Sequence, residues 1–230
     1  MKKRLLLTST GLANSIIRDF FISQIDALPG KMVGLVSACR TYEESLYVKE
    51  SIAELKRMGV SVEELNIVAR KSFSEILEFD IYYVCGGNTF FILDQMRRSG
   101  MDKILSEAID MGKLYIGVSA GSIIASKDIE IAGVGPLGDP NDINLSNLEG
   151  LEKIPFYVHP HYSVSERKYI ENFYKKKKTP LVAITDSQAV YVEGDDIFLV
   201  GIKGGLRLGG LKIDDRTFST ESSISPSFTH

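Results

Sequence analysis

The sequence predicts an α/β fold: a mostly parallel sheet with helices on both faces. Three observations predict it. Short apolar runs alternate with amphipathic stretches through the first half of the chain, the pattern left by parallel strands joined through crossover helices. Cap and turn signals fall at the joints between them. The 230 residues, 44% hydrophobic and 25% charged, suit one globular domain of the larger kind. The expected organisation is a single domain over residues 1–230, with the Ser/Thr-rich stretch 219–230 read as a partly disordered tail.

Taken in order, residues 4–8 read as a buried strand. The opening Lys2-Lys3-Arg4 followed by three leucines imitates a signal peptide, but the apolar run stops at Leu7, where Thr8, Ser9 and Thr10 follow. A secretory core needs about 7–15 apolar residues. Ile16, Phe20 and Phe21 recur at helical spacing before Pro29-Gly30. Residues 32–36 form a second strand. Thr41 and Glu44 make a capping box for a helix whose apolar face is Val48, Ile52 and Leu55, and Gly59 suits a left-handed cap at its end. Residues 60–67 read as a third strand, 72–79 as a short helix and 81–84 as a fourth strand. Asn88 and Thr89 cap a helix carrying Phe90, Leu93 and Met96; 104–111 is a further helix, and 114–117 a fifth strand. Residues 127–155, with Gly133, Gly135, Pro136, Gly138 and Pro140, read as a long loop and a candidate lid. A second capping box, Ser163 with Glu166, opens a helix to about Tyr174. Residues 181–184, 189–193 and 197–202 read as short strands. In open α/β sheets the site lies beyond the carboxyl ends of strands, which selects the loops after Ser37, Val84 and Gly117.

Composition excludes several function classes. A formal charge of -3 gives no electrostatic case for nucleic acid, and the basic run from Lys175 to Lys178 reads as a solvated helix end. No apolar run approaches the roughly 18 residues of a membrane span. Cys39 and Cys85 are the only cysteines, with neither a CxxC nor a metal-like cluster. The expectation is a cytoplasmic protein, monomer or homodimer, with no metal and no organic cofactor.

Gly117-Val-Ser119-Ala-Gly121 is a G-x-S-x-G sequence between an apolar run and an apolar helix start. That is the strand–turn–helix context of a nucleophile elbow. The turn is so tight that side chains at its ends would collide, so glycines occupy both, and the serine hydroxyl is pushed clear of the sheet. The helix start favours developing negative charge, and the Ala120 N–H points at a forming oxyanion. Cys85-Gly86-Gly87-Asn88-Thr89 ends the neighbouring strand. A Gly-Gly turn lets main-chain N–H groups approach a substrate, making Gly87 the second oxyanion donor; the plainer reading is a strand-to-helix turn with an Asn/Thr cap. Cys85 is a rival nucleophile, disfavoured because buried cysteine is usually inert packing. An activated serine needs a base. Only His159, His161 and the terminal His230 exist, so His159 or His161 must serve. Asp186, Asp139 and Asp142 compete to orient it.

These residues resemble a known family. Tyr83-Val-Cys-Gly-Gly-Asn-Thr-Phe90, Leu114-Tyr-Ile-Gly-Val-Ser-Ala-Gly121, Gly138-Asp-Pro-Asn141 and Pro160-His-Tyr162 follow the order and rough spacing of peptidase E, from the first strand to about residue 200. The resemblance implies a class I glutamine amidotransferase-like, flavodoxin-like three-layer fold and a serine-type peptidase. It implies Ser119 as nucleophile, Gly87 and Ala120 as oxyanion donors, His161 as base, because Pro160 precedes it, and Asp186 as the acid where the family carries glutamate. Asn88 and Arg167 are the substrate-contacting candidates. The family's Gly-Glu-Thr-Arg insertion, whose arginine binds the substrate's aspartate, is missing, so aspartyl specificity is in doubt and the implied substrate is a short peptide. The alternatives are a cyanophycinase-like hydrolase of β-aspartyl-arginine links and a catalytically inactive binding protein on the same fold. An amidotransferase is disfavoured by serine standing where cysteine is needed.

Overall fold

A computed structural model describes residues 1–25, 30–69 and 79–216. The tail 219–230, Pro29 and, but for Phe79, the helix expected over 72–79 lie outside the described residues.

The chain alternates as its periodicity requires. Strand β1 (Arg4–Thr8) leads to helix α1 (Ser15–Ser23), capped by the Asn14 side chain. Strand β2 (Met32–Ser37) leads to α2 (Tyr42–Arg57), where the capping box of Thr41 and Glu44 forms. Strands β3 (Ser61–Asn66) and β4 (Ile81–Val84) follow, then α3 (Thr89–Ser99) and α4 (Met101–Asp110), divided by Gly100 in the left-handed region. Strand β5 (Leu114–Val118) turns at once into the short α5 (Ala120–Ile124). Then come β6 (Tyr157–His159), α6 (Arg167–Lys177), β7 (Leu181–Ala183), β8 (Gln188–Glu193), β9 (Asp196–Gly201), β10 (Leu206–Leu208) and β11 (Asp214–Arg216).

Eight strands form the main sheet in the order β11-β9-β8-β1-β5-β4-β2-β3. The run from β3 to β1 is parallel throughout; β8 pairs antiparallel with β1, β9 antiparallel with β8, and β11 parallel with β9. Successive residues of a strand face opposite sides, and two cores result. Leu5, Leu7, Tyr82, Val84 and Tyr115 pack under α3, α4 and α5. Leu6, Val33, Leu35, Tyr83 and Ile116 pack under α1 and α2. This is the expected three-layer arrangement, and it leaves the carboxyl ends of β1, β5 and β4 side by side.

Strand β7, with β6 and β10, makes a second, three-stranded sheet. Two expectations need correction. Residues 127–155 are not a lid: Leu145, Leu148 and Leu151 pack against the core on the α3 side, and none of the segment lines the cavity described below. The second capping box does not form. Ser163 makes no cap bond, its hydroxyl meeting that of Ser165 instead, and the Glu166 carboxylate turns inward to His159.

Candidate active site

Ser119 occupies the bend between β5 and α5 with φ +50° and ψ -107°, a region that costs about 1–3 kcal/mol for a residue with a side chain. The surroundings hold it there. A Cβ on Gly117 would lie 2.7 Å from the main chain of Gly121, and one on Gly121 would lie 2.7 Å from the Val84 carbonyl oxygen. Both positions therefore exclude any larger residue. The Ser122 hydroxyl accepts from Thr8 N–H at 2.9 Å and reaches the Gly117 and Thr8 carbonyls at 2.8 Å. The buried Tyr115 hydroxyl donates to the Gly121 carbonyl at 2.7 Å, and Ser119 N–H donates to Thr8 O at 2.9 Å. With only five residues in α5, any anion stabilisation here comes from individual N–H groups rather than from a long helix dipole.

From this bend Ser119 Oγ lies 3.0 Å from His161 Nε2, and His161 Nδ1 lies 2.7 Å from Asp186 Oδ1. The three side chains form one hydrogen-bonded chain, drawn from the ends of β5, β6 and β7. His161 has φ +57°. The main chain turns there, so Tyr162 N–H bonds the Ile184 carbonyl while Ile184 N–H bonds the His159 carbonyl. The strand stops at His159 rather than running on through Pro160, and the two histidines face different surroundings. His159 is buried and lies 3.1 Å from Glu166 Oε2. Burial holds its pKa below the ordinary histidine value, against the pull of the Glu166 carboxylate. The other acids are engaged elsewhere. Asp139 Oδ2 accepts from the Thr89 N–H and hydroxyl, and Asp142 pairs with Arg40.

Ser119 and His161 open on a cavity of about 500 Å³. Cys85, Gly86 and Gly87 form one wall, Ser9 and Thr10 another, and Glu44, Glu50 and Glu54 of α2 a third. Among the described residues, no lysine or arginine lines it; Arg18, outside the lining, bridges to Glu54 at 3.3 Å. Gly86 approaches so closely that a Cβ there would meet Ser119 Cβ at 3.2 Å, and Gly87 has φ +140°. Ala120 N–H is the first of its helix, one of the donors that a helix leaves without an internal partner. Cys85 is buried, and burial raises its thiol pKa well above the ordinary value, so it stays a protonated packing group.

Two sequence candidates are not at the cavity. Asn88 is fully engaged in holding structure: its Oδ1 caps α3 at Phe91 N–H and its Nδ2 donates to the Pro140 carbonyl. Arg167 is exposed on α6 and pairs with Glu171 one turn on, at 2.8 Å. Conversely, Ser9 and Thr10 line the cavity although their sequence role was only to end an apolar run. Applying the carboxyl-end rule to β1 as well would have found them. Among the described residues, no group of three or more His, Cys, Asp or Glu side chains could hold a metal ion, and no helix is long and apolar enough to cross a membrane.

With this geometry in hand, comparison with known proteins decides the family. The model of peptidase family S51 matches residues 5–200. The chain belongs to that family, the peptidase E family of serine peptidases. An uncharacterized peptidase of Listeria monocytogenes is 35% identical over 179 residues, 74% of this chain and 86% of that protein. Peptidase E of Shewanella denitrificans is 31% identical over 145 residues, 59% of this chain and 60% of that protein. Among solved structures, a candidate peptidase E from Listeria monocytogenes superposes with a TM-score of 0.71 at 29% identity, covering 88% of this chain and all of the other. A peptidase from an acI-B1 Actinobacterium, at 18% identity and a TM-score of 0.66 over 92% of both chains, shares the fold. The S51 protein described here is thus a serine-type peptidase, with the α/β architecture of its relatives.

Proposed function

We propose that this S51 peptidase hydrolyses short peptides through Ser119, His161 and Asp186, by way of an acyl-enzyme. The observation that carries the reading is the unbroken chain Asp186–His161–Ser119, with bonds of 2.7 and 3.0 Å, on the wall of an open cavity. As Ser119 Oγ bonds to the scissile carbonyl carbon, its proton passes to His161 Nε2. Asp186 holds the other ring nitrogen as N–H and steadies the imidazolium. The Gly87 and Ala120 N–H groups receive the oxyanion, each worth about 10²–10³ in rate if the hole resembles measured ones. His161 then gives its proton to the leaving amine as the C–N bond breaks. Water, deprotonated by the same imidazole, releases the acid and restores the serine.

The cavity walls bear on specificity. Three glutamates line it and, among the described residues, no lysine or arginine does, so a substrate carboxylate would meet like charge. That supports neutral or cationic side chains over aspartate. The same acidic lining supports one alternative, hydrolysis of β-aspartyl-arginine links, where a guanidinium would enter. A library of α-aspartyl, β-aspartyl-arginine, neutral and basic dipeptides, run with wild-type and Ser119→Ala protein, separates these. Turnover of neutral or basic dipeptides that vanishes in Ser119→Ala is the expected result. Turnover surviving in that variant, or no turnover and no fluorophosphonate labelling of a folded wild type, would end the reading.

A further inference from the structure

We infer that Thr8-Ser9-Thr10 is the jig that sets the three reacting groups in register, with Ser9 the positioning residue for His161. The inference rests on the peptidase reading above. These three consecutive residues each bond a different member of the Ser119–His161–Asp186 chain. Thr8 O accepts from Ser119 N–H at 2.9 Å. Ser9 Oγ accepts from His161 N–H at 3.0 Å. Thr10 Oγ1 donates to the Asp186 carbonyl at 3.2 Å. The segment continues β1, which lies inside the eight-stranded sheet between β5 and β8. It therefore ties the histidine and the acid, both carried by the smaller β6-β7-β10 sheet, to the strand paired with the nucleophile's own.

The chemistry at Ser9 needs a hydroxyl. Ser9 is 1% exposed, so solvent does not readily stand in for it. Its oxygen accepts from His161 N–H while its proton is shared between the Ile184 and Thr185 carbonyls, at 3.3 and 3.2 Å. One side chain thus joins the His161 turn to the end of β7, two residues before Asp186. His161 holds φ +57°, a conformation uncommon outside glycine, and the anchored N–H opposes its relaxation. The Ser9 hydroxyl touches His161 through the main chain alone, so it acts on where the imidazole sits. A misplacement of about 1 Å costs roughly 10²-fold in rate.

The test follows Ser119 labelling by a fluorophosphonate, in which Oγ attacks phosphorus, fluoride leaves and His161 takes the proton. Saturation kinetics separate the maximal labelling rate from the half-saturation concentration. Ser9→Ala should lower the maximal rate by about 10–100-fold, with half-saturation within about 3-fold and an unchanged circular dichroism spectrum. Ser9→Thr, which keeps the acceptor, should recover to within about 5-fold of wild type. A loss below about 10-fold in Ser9→Ala, or equal losses in Ala and Thr variants, would overturn the assignment. Should Ser9→Ala fail to fold, Thr10→Ala decides, since its hydroxyl bond is exposed: a loss of about 3-fold or more supports the jig, and a smaller one sinks it. Wild type that folds yet never labels would instead break the peptidase reading, and this inference with it.

Discussion

Two histidine–carboxylate pairs sit two residues apart, and their surroundings are opposite. In the first, His159 and Glu166 have side chains 9% and 4% exposed; in the second, His161 and Asp186 are 47% and 63% exposed. The chemical groups are alike and the separations similar, 3.1 and 2.7 Å. Environment divides them. Neither member of the buried pair lines the cavity, and His159 Nδ1 and Glu166 Oε1 find no partner among the described residues. The exposed pair ends on a serine hydroxyl. A single main-chain reversal at His161, held from both sides by Ile184, separates the buried histidine from the one that meets Ser119. Access and a hydroxyl placed to donate its proton, more than the presence of an imidazole, make a general base.

The widest break between the two pairs should come from the histidines themselves. His161→Ala removes the base proposed for Ser119 and should lower kcat by about 10⁴–10⁶-fold, leaving the melting temperature within a few degrees. His159→Ala should do the reverse: kcat within about 5-fold, but a stability loss of about 2–4 kcal/mol from a buried cavity and an unpaired Glu166 carboxylate. Steady-state kinetics and denaturant melts on the two variants check this. A kcat collapse in His159→Ala with its fold intact would contradict the assignment of roles.

The carboxylates should follow with a smaller gap. Asp186→Asn preserves shape but loses the charge that holds His161 Nδ1 as a donor. In buried triads that change costs about 10⁴-fold. Here Asp186 is well exposed and screened by solvent, so the loss should be nearer 10²–10³-fold, with KM little changed. Glu166→Gln should leave kcat within about 3-fold. Asp139→Asn, which weakens the cap on Thr89, should also leave kcat near wild type; a collapse there would mean that the acid had been misassigned.

Much of this site was legible in the sequence because its signals are local. The elbow glycines follow from steric limits within five residues, and a Cβ at either Gly117 or Gly121 would collide with main-chain atoms. The bounds of β1 and β4 and the Thr41–Glu44 capping box also depend on neighbours in sequence. What could not be read depends on distant partners. Asp186, Asp139 and Asp142 are all loop acids, told apart only by whether His161, Thr89 or Arg40 arrives beside them. The Ser163–Glu166 motif satisfies the capping pattern, yet His159 competes for the glutamate from another element and wins. Asn88 and Arg167 were plausible contacts by type, and local structure uses both. Strand β7 reads like β8, but only long-range pairing assigns it to a separate sheet.

The smallest effect should appear in the pH dependence of stability, and it belongs to the buried pair alone. Burial lowers the His159 pKa in the folded state, while the unfolded chain keeps a value near 6.5. Below about pH 6.5 the unfolded state therefore binds more protons than the folded one, and stability must fall as pH falls. The loss accrues down to the folded pKa and then levels off. Thermal melts between pH 7.5 and 5 should show a decline that is shallower in His159→Gln, whose amide has the reach to keep a bond to Glu166 but does not titrate in this range. Other carboxylates contribute a background common to both proteins, so the difference between the two curves carries the information. Identical slopes would mean that His159 titrates alike in the folded and unfolded chain, and a steeper decline in His159→Gln would mean that the ion pair with Glu166 outweighs burial. The contrast between the buried pair and the exposed one would then have to rest on access alone.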